Sequence, residues 1–251
     1  DLSAAKDAEF TTFLMAGLIR NYLALLSDHE PTALSGEHRA IKGWITNGFA
    51  KRLKRPTREY FGFGLNVAWF WPAINLDMVN GRIGEARRKL EVVEDGFRAF
   101  LNTDGSIKDR TTRGNRALWY QYTSIGEVVM TFEMMRAVEM PVDQELETRL
   151  HAAVDLFLRA NDDYSVIHPW AQQRHQASYD GKNQDWERFS WPDKDFAGSW
   201  LHVYPYRYPD HPNTQRLSQK VRWYSRSARM DTDYGFGAGC LYNLAGGRAP
   251  G

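Results

Sequence analysis

The sequence has one cysteine, no excess of either charge and no long apolar run, and each of these shortages excludes a class of protein. Cys240 is alone, so neither a disulfide within the chain nor a cysteine-based metal site can form. The 32 basic and 31 acidic residues nearly cancel, and no global field favours nucleic acid or an anionic membrane. No apolar run reaches the length of a membrane span. Any attraction for anions must therefore be local.

Cofactor motifs are lacking as well. Neither a glycine-rich phosphate loop nor a spaced cluster of metal ligands occurs, so we expect no cofactor and no metal. The chain opens at Asp1 without a signal-like segment, as a processed exported protein does and as a trimmed chain also does. Aromatic residues, in contrast, are abundant, with nine Trp and 12 Tyr among 251 residues. Flat aromatic faces beside polar groups suit stacking on sugar rings, although the same residues also fill cores.

Apolar residues recur at helical spacing through the first two thirds of the chain. They predict helices over 4–27, 36–54, a stretch ending at Val79, 83–101, 115–139, and an apolar stripe from Val142 to Phe157. Turn signals such as Asn80-Gly81 separate these segments. Similar helices that follow one another in pairs predict an all-α solenoid or toroid, in a single domain over 1–251.

From 161 to 212 the helical pattern gives way to Trp, Tyr, His, Asp and Pro. A segment of this length without regular structure is usually functional or covers a site. We therefore expect a lid or a cleft lining here, or short helices that the pattern does not reveal.

The segment Arg113–Tyr122 combines basic and aromatic residues at the start of a predicted helix. A helix over this segment places Trp119 and Tyr122 on one side and Arg116 and Tyr120 on another. Guanidinium groups neutralise a carboxylate with paired hydrogen bonds, and a phenol beside them is suited to proton transfer. The composition therefore indicates an anion-binding cleft. The structural alternative is an aromatic core with solvated arginines.

The segment Asn66–Tyr122 resembles the alginate lyases of polysaccharide lyase family 5 and their relatives. That family has an Asn-His pair at the start of one inner helix, and later an Arg followed after seven residues by a Tyr in an Arg-Ala-Leu-x-Tyr context. Here Arg113 and Tyr120 are seven residues apart, and Asn66 lies 47 residues before Arg113. The segment Arg116–Tyr120 reproduces the context. The segment Trp200–Tyr208 is similar to the family's Trp-x-x-Pro-Tyr-x-x-Arg-Phe region, with its residues in a different order.

Two positions depart from the family's pattern. Val67 follows Asn66 where the family has a histidine, and Gln121 replaces the histidine that follows the tyrosine. These departures leave open a relative that acts on another uronate polymer, such as glucuronan.

The resemblance implies an incomplete (α/α) toroid of helical hairpins that cleaves a 1,4-linked uronate polymer by β-elimination. Asn66 and Arg113 would neutralise the C5 carboxylate, where charge builds in the transition state. Tyr120 would remove the C5 proton and protonate the leaving oxygen. Arg116 would pair with an acidic neighbour, or would replace Arg113 as the neutralising group. We further expect a periplasmic or secreted monomer whose partner is an anionic polysaccharide, not nucleic acid or membrane.

Two further sets of residues belong to the expected site. The missing histidine has three candidate substitutes in the irregular region: His168, His175 and His202. Aromatic side chains expected to contact the substrate are Trp69, Trp71, Trp119, Tyr122, Tyr204 and Tyr206. For Trp69 and Trp71, a place in the core is the alternative.

Two other classes of function remain open from the sequence. An (α/α) glycoside hydrolase needs two carboxylic acids across the scissile bond, and four aspartates at two-residue spacing would supply them, although such pairs are also ordinary in turns. These are Asp193, Asp195, Asp231 and Asp233. The third class is a non-catalytic glycan-binding protein that keeps the aromatic cleft. Only a lyase creates an unsaturated product that absorbs in the ultraviolet.

Overall fold

The computed structural model describes residues 35–49, 67, 70–184, 198 and 200–218. Within these ranges the fold is all-α, as the sequence predicts. The helices are α1 Ser35–Phe49, α2 Trp71–Val79, α3 Ile83–Phe100, α4 Ala117–Ala137, α5 Gln144–Asp162, α6 His168–Ala171 and α7 Trp200–Arg207. Short 3₁₀ turns at Gly114–Arg116 and Tyr164–Ile167 precede α4 and α6, and residues 212–218 are also helical. The helix predicted over 4–27 lies outside the described residues.

Helix α4 is the centre of the described fold. Fifteen of its 21 residues are buried, and they lie on every side of the helix. A helix that is apolar all round must be covered all round. Accordingly, α3, α5 and α7 all pack against α4.

The helices before α4 follow the predicted pattern. Pro72 lies in the first turn of α2, where its missing N–H leaves no hydrogen bond unmade. Gly81 ends the following turn with φ +70°, as the Asn80-Gly81 signal predicts. The apolar stripe of α3 faces the core through Ala86, Leu90 and Phe97, while its charged residues other than the buried Glu94 are at least partly exposed.

Helix α5 shows the clearest end signals. The side chain of Asp143 accepts a hydrogen bond from the backbone N–H of Glu145 at 2.7 Å and so caps the helix start. Asp163 then accepts from the N–H of Ser165 at 2.9 Å, which caps the 3₁₀ turn that follows. Because α5 runs to Asp162 and two helices follow it, part of the irregular segment predicted over 161–212 is helical.

Candidate functional site

The turn between α3 and α4 lies directly on α5. Leu101 and Ile107 form an antiparallel bridge that closes it, and Gly105 adopts φ +85° inside it. A Cβ atom at Gly105 would lie 2.3 Å from the carbonyl oxygen of Ala152, so only glycine fits this close approach. This contact sets the position of the loop that follows.

That loop brings two guanidinium groups to one tyrosine. The guanidinium carbon of Arg110 lies 5.0 Å from the ring centroid of Tyr120, and that of Arg113 lies 4.9 Å from it. Both distances are within the range of cation–π attraction. The Nε of Arg113 donates to the carbonyl oxygen of Asp109 at 2.8 Å, which orients its plane. Arg113 therefore lies on the loop before α4, with its guanidinium group over the ring of Tyr120.

Several polar atoms at this place are available to a ligand. Among the described residues, no group hydrogen-bonds to the phenol hydroxyl of Tyr120 or to the terminal nitrogens of Arg113. The two free nitrogens of a guanidinium form a planar fork that matches a carboxylate. The arrangement therefore offers an anion both a paired donor and a phenol.

Arg110 differs from Arg113 in its environment. Its side chain is buried, with the residue only 5% exposed, and burial lowers the pKa of its guanidinium while the carboxylate of Glu127 opposes that shift. A charge held in a poorly solvated place acts on its neighbours more strongly than one in water. Arg110 is thus a second cation at the Tyr120 ring that sequence reasoning missed.

Residues 172–184 close over the start of α4. The side-chain oxygen of Gln184 accepts from the N–H of Leu118 at 3.1 Å, and its nitrogen donates to the carbonyl of Gly114 at 3.1 Å. The N–H of Asn115 donates to the carbonyl of Ser178 at 2.9 Å. These bonds satisfy groups that a helix start otherwise leaves unpaired.

Gly114 makes that closure possible. It has φ +59°, and a Cβ atom there would lie 2.1 Å from the carbonyl oxygen of Ser178. A side chain at this position would push the segment off the helix start.

Backbone strain also concentrates here. Asp109, Arg174 and Gln176 have φ of 61°, 54° and 53°, which residues with side chains rarely adopt. His175 lies between the last two, and its N–H donates to the carbonyl of Thr112 at 2.8 Å. Its Nε2 is 3.9 Å from Oδ1 of Asp109. Strained backbone at such a place is a sign of function rather than of packing alone.

A pocket of about 440 Å³ opens beside this strained backbone. Its walls come from the α3–α4 loop and from the segment around α6. They include Asn102, Asp109, Thr112, Trp170, Gln173 and His175.

Three of the predicted substrate contacts are wrong, because the side chains are buried in the core. Trp71 is 0% exposed and its indole N–H donates to the hydroxyl of Thr131 at 3.1 Å. Tyr122 is buried against Trp200, with ring centroids 5.5 Å apart. Tyr204 is also fully buried. None of these rings can stack on a sugar.

The prediction for His202 is wrong for a related reason. The residue is 6% exposed, and burial lowers the pKa of its imidazole to about 4. A neutral histidine enclosed in the core is not placed to meet a polymer.

Other predicted residues have more open positions. Trp119 is half-buried and makes an edge contact with Tyr120, with centroids 4.7 Å apart. Arg116 is exposed, and Tyr206 is exposed beneath the guanidinium of Arg207 at 5.1 Å. His168 is half-buried with an edge contact to Tyr179. Outside the described residues lie Asn66, Trp69, Asp193, Asp195, Asp231 and Asp233.

Gln121 explains one departure from the family's pattern. It is buried, its Nε2 donates to the carbonyls of Gly105 at 2.8 Å and Ala153 at 3.2 Å, and its Oε1 accepts from the hydroxyl of Thr111 at 2.6 Å. The residue after Tyr120 therefore joins α4 to the α3–α4 loop and to α5. In this chain the Gln121 side chain is buried and bonded to other parts of the protein, so its role is structural and it does not face a ligand.

A second group of tyrosine, histidine and arginine side chains lies where α5 meets α7; we name it the Tyr204 cluster. The hydroxyl of Tyr204 lies 2.8 Å from Nδ1 of His151 and 3.2 Å from Nδ1 of His211. The two imidazoles stack with centroids 4.0 Å apart. Its remaining members are Tyr208, Glu147 and Arg136, joined by hydrogen bonds of 2.7 to 3.0 Å.

Comparison with known proteins adds no assignment: no family model, no characterised protein and no solved structure matches the chain. In the ranges that the structure describes, no group of three or more His, Cys, Asp or Glu side chains is arranged to hold a metal ion. No helix in those ranges is long and apolar enough to cross a membrane.

Sequence reasoning missed Arg110, Asp109, Trp170 and Gln184. A partial signal exists for the first, because Arg110 and Arg113 are three residues apart, as neighbours on one side of a turn are. Nothing local marks Trp170 and Gln184, which come to the site from far along the chain, as the bond from Leu118 to Gln184 shows. Asp109 is only four residues from Arg113, but the bond between them depends on the turn that the loop adopts.

Proposed function

We propose that the protein is a polysaccharide lyase that cleaves a 1,4-linked uronic acid polymer, alginate (polymannuronate) or glucuronan, by β-elimination. The observation that carries this proposal is the hydroxyl of Tyr120, which has no hydrogen-bond partner among the described residues, on a ring that contacts the guanidinium groups of Arg110 and Arg113. The resemblance adds an incomplete (α/α) toroid and a periplasmic or secreted monomer. An all-α fold whose successive helices pack on one another is consistent with that toroid.

Arg113 is the group that would bind the C5 carboxylate of the uronate. Removal of the C5 proton moves negative charge onto that carboxylate, so a donor pair that strengthens as charge builds lowers the barrier. The terminal nitrogens of Arg113 supply such a pair, and the bond from Nε to Asp109 orients them in advance. Asn66 is the second neutralising group that the resemblance implies.

Tyr120 is the group that would move the proton. With its side chain as the phenolate, Tyr120 takes the proton from C5 and becomes a phenol, the C5 electrons form the C4–C5 double bond, and the bond from C4 to the glycosidic oxygen breaks. The phenol then gives its proton to the leaving oxygen, when both lie on one face, and is a phenolate again. Arg110, held buried at the ring, stabilises the negative charge of that phenolate before and after the transfer.

Among the three histidine candidates, His175 is the one whose position supports a contribution. Its backbone N–H bonds to Thr112, and its imidazole faces the carboxylate of Asp109. Both of these partners belong to the α3–α4 loop, which also carries Arg110 and Arg113. His202 is enclosed in the core, and His168 packs on Tyr179.

Digestion of a panel of polymers tests the proposal. Polymannuronate, polyguluronate, glucuronan and a neutral glucan are incubated with the protein, and ultraviolet absorbance of the C4–C5 double bond is followed together with chain length. We expect absorbance to rise with at least one uronate polymer. Shortening without absorbance would show a hydrolase, and binding without either change would show a glycan-binding protein.

A further inference from the structure

The pocket beside Asp109 is connected to the proposed reaction site through one short loop. Asp109 lines the pocket, while its backbone carbonyl holds the Nε of Arg113, whose guanidinium lies over Tyr120. Its volume of about 440 Å³ falls within the range of about 300 to 1,000 Å³ that small-molecule sites occupy. The cavity is therefore lined by the residue whose backbone orients Arg113.

Three polar groups in the pocket wall have no hydrogen-bond partner among the described residues. The hydroxyl of Thr112 is buried and has no hydrogen-bond partner among the described residues. The amide of Gln173 is exposed, and in the same ranges no group bonds to it. The carboxylate of Asp109 has no hydrogen bond among the described residues; Nε2 of His175 lies 3.9 Å from it, beyond hydrogen-bond distance, and the guanidinium of Arg110 interacts with it electrostatically. A buried polar group is normally bonded, so these groups fit a ligand that both donates and accepts.

An aromatic wall and a cation complete the pocket. Trp170 packs partly against the core and presents the rest of its side chain to the pocket. Lys108 also lines it; its ammonium lies 5.4 Å from the ring centroid of Phe100 and has no carboxylate partner among the described residues. An aromatic face with hydroxyl-bonding groups suits a sugar ring, and a free ammonium suits the carboxylate of a uronate.

We propose that this pocket binds one ring of a glycan chain, packed against Trp170, next to the ring that Arg113 holds. Asp109, Thr112 and Gln173 hydrogen-bond its hydroxyls, and Lys108 pairs with its carboxylate. That the glycan is a uronate polymer rests on the proposed function, whereas the site for a sugar ring does not. The strained backbone of Asp109 and around His175 shapes the pocket wall.

Titration calorimetry on the full chain carrying Tyr120→Phe tests this site without cleavage. The probes are mannuronate and glucuronate hexasaccharides and a neutral glucan hexasaccharide. Trp170→Ala and Gln173→Ala should each weaken binding of the preferred hexasaccharide by about 5- to 10-fold, the loss of one aromatic contact or one hydrogen bond. Gln172→Ala is the matched control, because Gln172 is equally exposed but donates to the carbonyl of Pro169 at 3.3 Å. It should leave the affinity unchanged.

The outcomes separate this pocket from the lyase proposal. If Gln173→Ala and Gln172→Ala bind the preferred hexasaccharide equally well, the proposed sugar site in the pocket is wrong, even if the wild-type protein cleaves a uronate polymer. Binding that depends on Trp170 and Gln173 without any cleavage by the wild-type protein supports the pocket and overturns the lyase. Absence of binding to all three hexasaccharides overturns the pocket too. Because Gln173 is exposed, its replacement keeps the test valid if Trp170→Ala fails to fold.

Discussion

The Tyr120 site and the Tyr204 cluster are built from the same residue types but differ in how their polar groups are satisfied. At the Tyr120 site the phenol hydroxyl and the terminal nitrogens of Arg113 have no partner among the described residues. In the Tyr204 cluster the hydroxyl of Tyr204 meets two imidazoles, and that of Tyr208 donates to Glu147 at 2.7 Å. Polar groups without a protein partner can bond to water or to a ligand, whereas those of the Tyr204 cluster bond to one another and join α5 to α7.

The Tyr120 site and the Tyr204 cluster also differ in the burial of their ionisable groups and in the strain of their backbone. In the Tyr204 cluster, burial raises the pKa of Tyr204 and Tyr208 and lowers that of His151 to about 4, so all three stay neutral. The described non-glycine residues with positive φ include three near the Tyr120 site and none in the Tyr204 cluster. A tyrosine with an arginine beside it is therefore a weak sign of chemistry, and the state of its hydroxyl is the informative feature.

The largest expected effect comes from the paired variants Tyr120→Phe and Tyr208→Phe. The first removes only the proton-transferring oxygen, so turnover should fall by about 100-fold or more with an unchanged melting temperature. The second removes a bonded hydroxyl far from the reaction, so the free energy of unfolding should fall by about 1 to 2 kcal/mol with unchanged turnover. Absorbance of the unsaturated product measures turnover, and thermal unfolding measures stability. Residual turnover of Tyr120→Phe above about a hundredth of wild type would contradict a base at this position.

Trp71→Ala tests the boundary between core and cleft. Because Trp71 is fully buried, its loss should lower the free energy of unfolding by about 3 to 5 kcal/mol. Affinity for a uronate oligosaccharide, measured on the folded fraction, should not change. Weaker binding at an unchanged melting temperature would show that Trp71 lines the cleft and not the core.

Arg113→Lys and Arg116→Lys separate the two arginines of the motif. An ammonium keeps the charge of Arg113 but loses its fork, so turnover should fall by roughly 10- to 100-fold, the worth of a charged hydrogen bond. Arg116 is exposed and does not lie over Tyr120, so its replacement should have little effect. Steady-state rates on the preferred polymer measure both. If Arg116→Lys were the more damaging, Arg116 would be the neutralising group.

The smallest effect concerns pH and the Tyr204 cluster. The folded pKa of His151 is about 4 against 6.5 in the unfolded chain, so the unfolded state binds more protons as pH falls below 6.5. The resulting stability is complete above pH 6.5 and is lost toward pH 4. His211, Tyr204, Tyr208, Glu147 and Asp155 face or neighbour this imidazole, and burial also lowers the pKa of His211, which adds to the loss of stability in the same direction.

Unfolding free energies between pH 7.5 and 5.5 measure that loss. We expect a decrease of about 1 kcal/mol from His151, and a similar one from His202, whose pKa is also about 4. His151→Gln should remove the part of this pH dependence of the unfolding free energy that comes from His151. An unchanged slope in His151→Gln would assign the pH dependence to other groups.

The helices were predictable because their signals are local. The stripe of α3 and the Asn80-Gly81 turn both act within a few residues, and both predictions are confirmed, with the bounds of α3 within one residue of those predicted. The start of α5 was less clear, since its apolar stripe begins at Val142 while the capping residue is Asp143.

Within the site, the spacing from Arg113 to Tyr120 was visible in the sequence, and the two side chains do meet. The substrate contacts predicted at Trp71, Tyr122 and Tyr204 failed, because composition does not tell a buried ring from one in a cleft. In each case the covering surface comes from a distant helix.

The sequence by itself determined that the described chain is helical and that a basic, aromatic segment begins α4, because periodicity, caps and turn residues act over short distances. Only the tertiary structure decided which polar groups stay unsatisfied. That outcome depends on where the α3–α4 loop rests on α5 and where residues 172–184 close over Gly114, contacts between segments up to about 70 residues apart. Among the described residues, the same residue types therefore form a site with unbonded polar groups at Tyr120 and a hydrogen-bonded cluster at Tyr204.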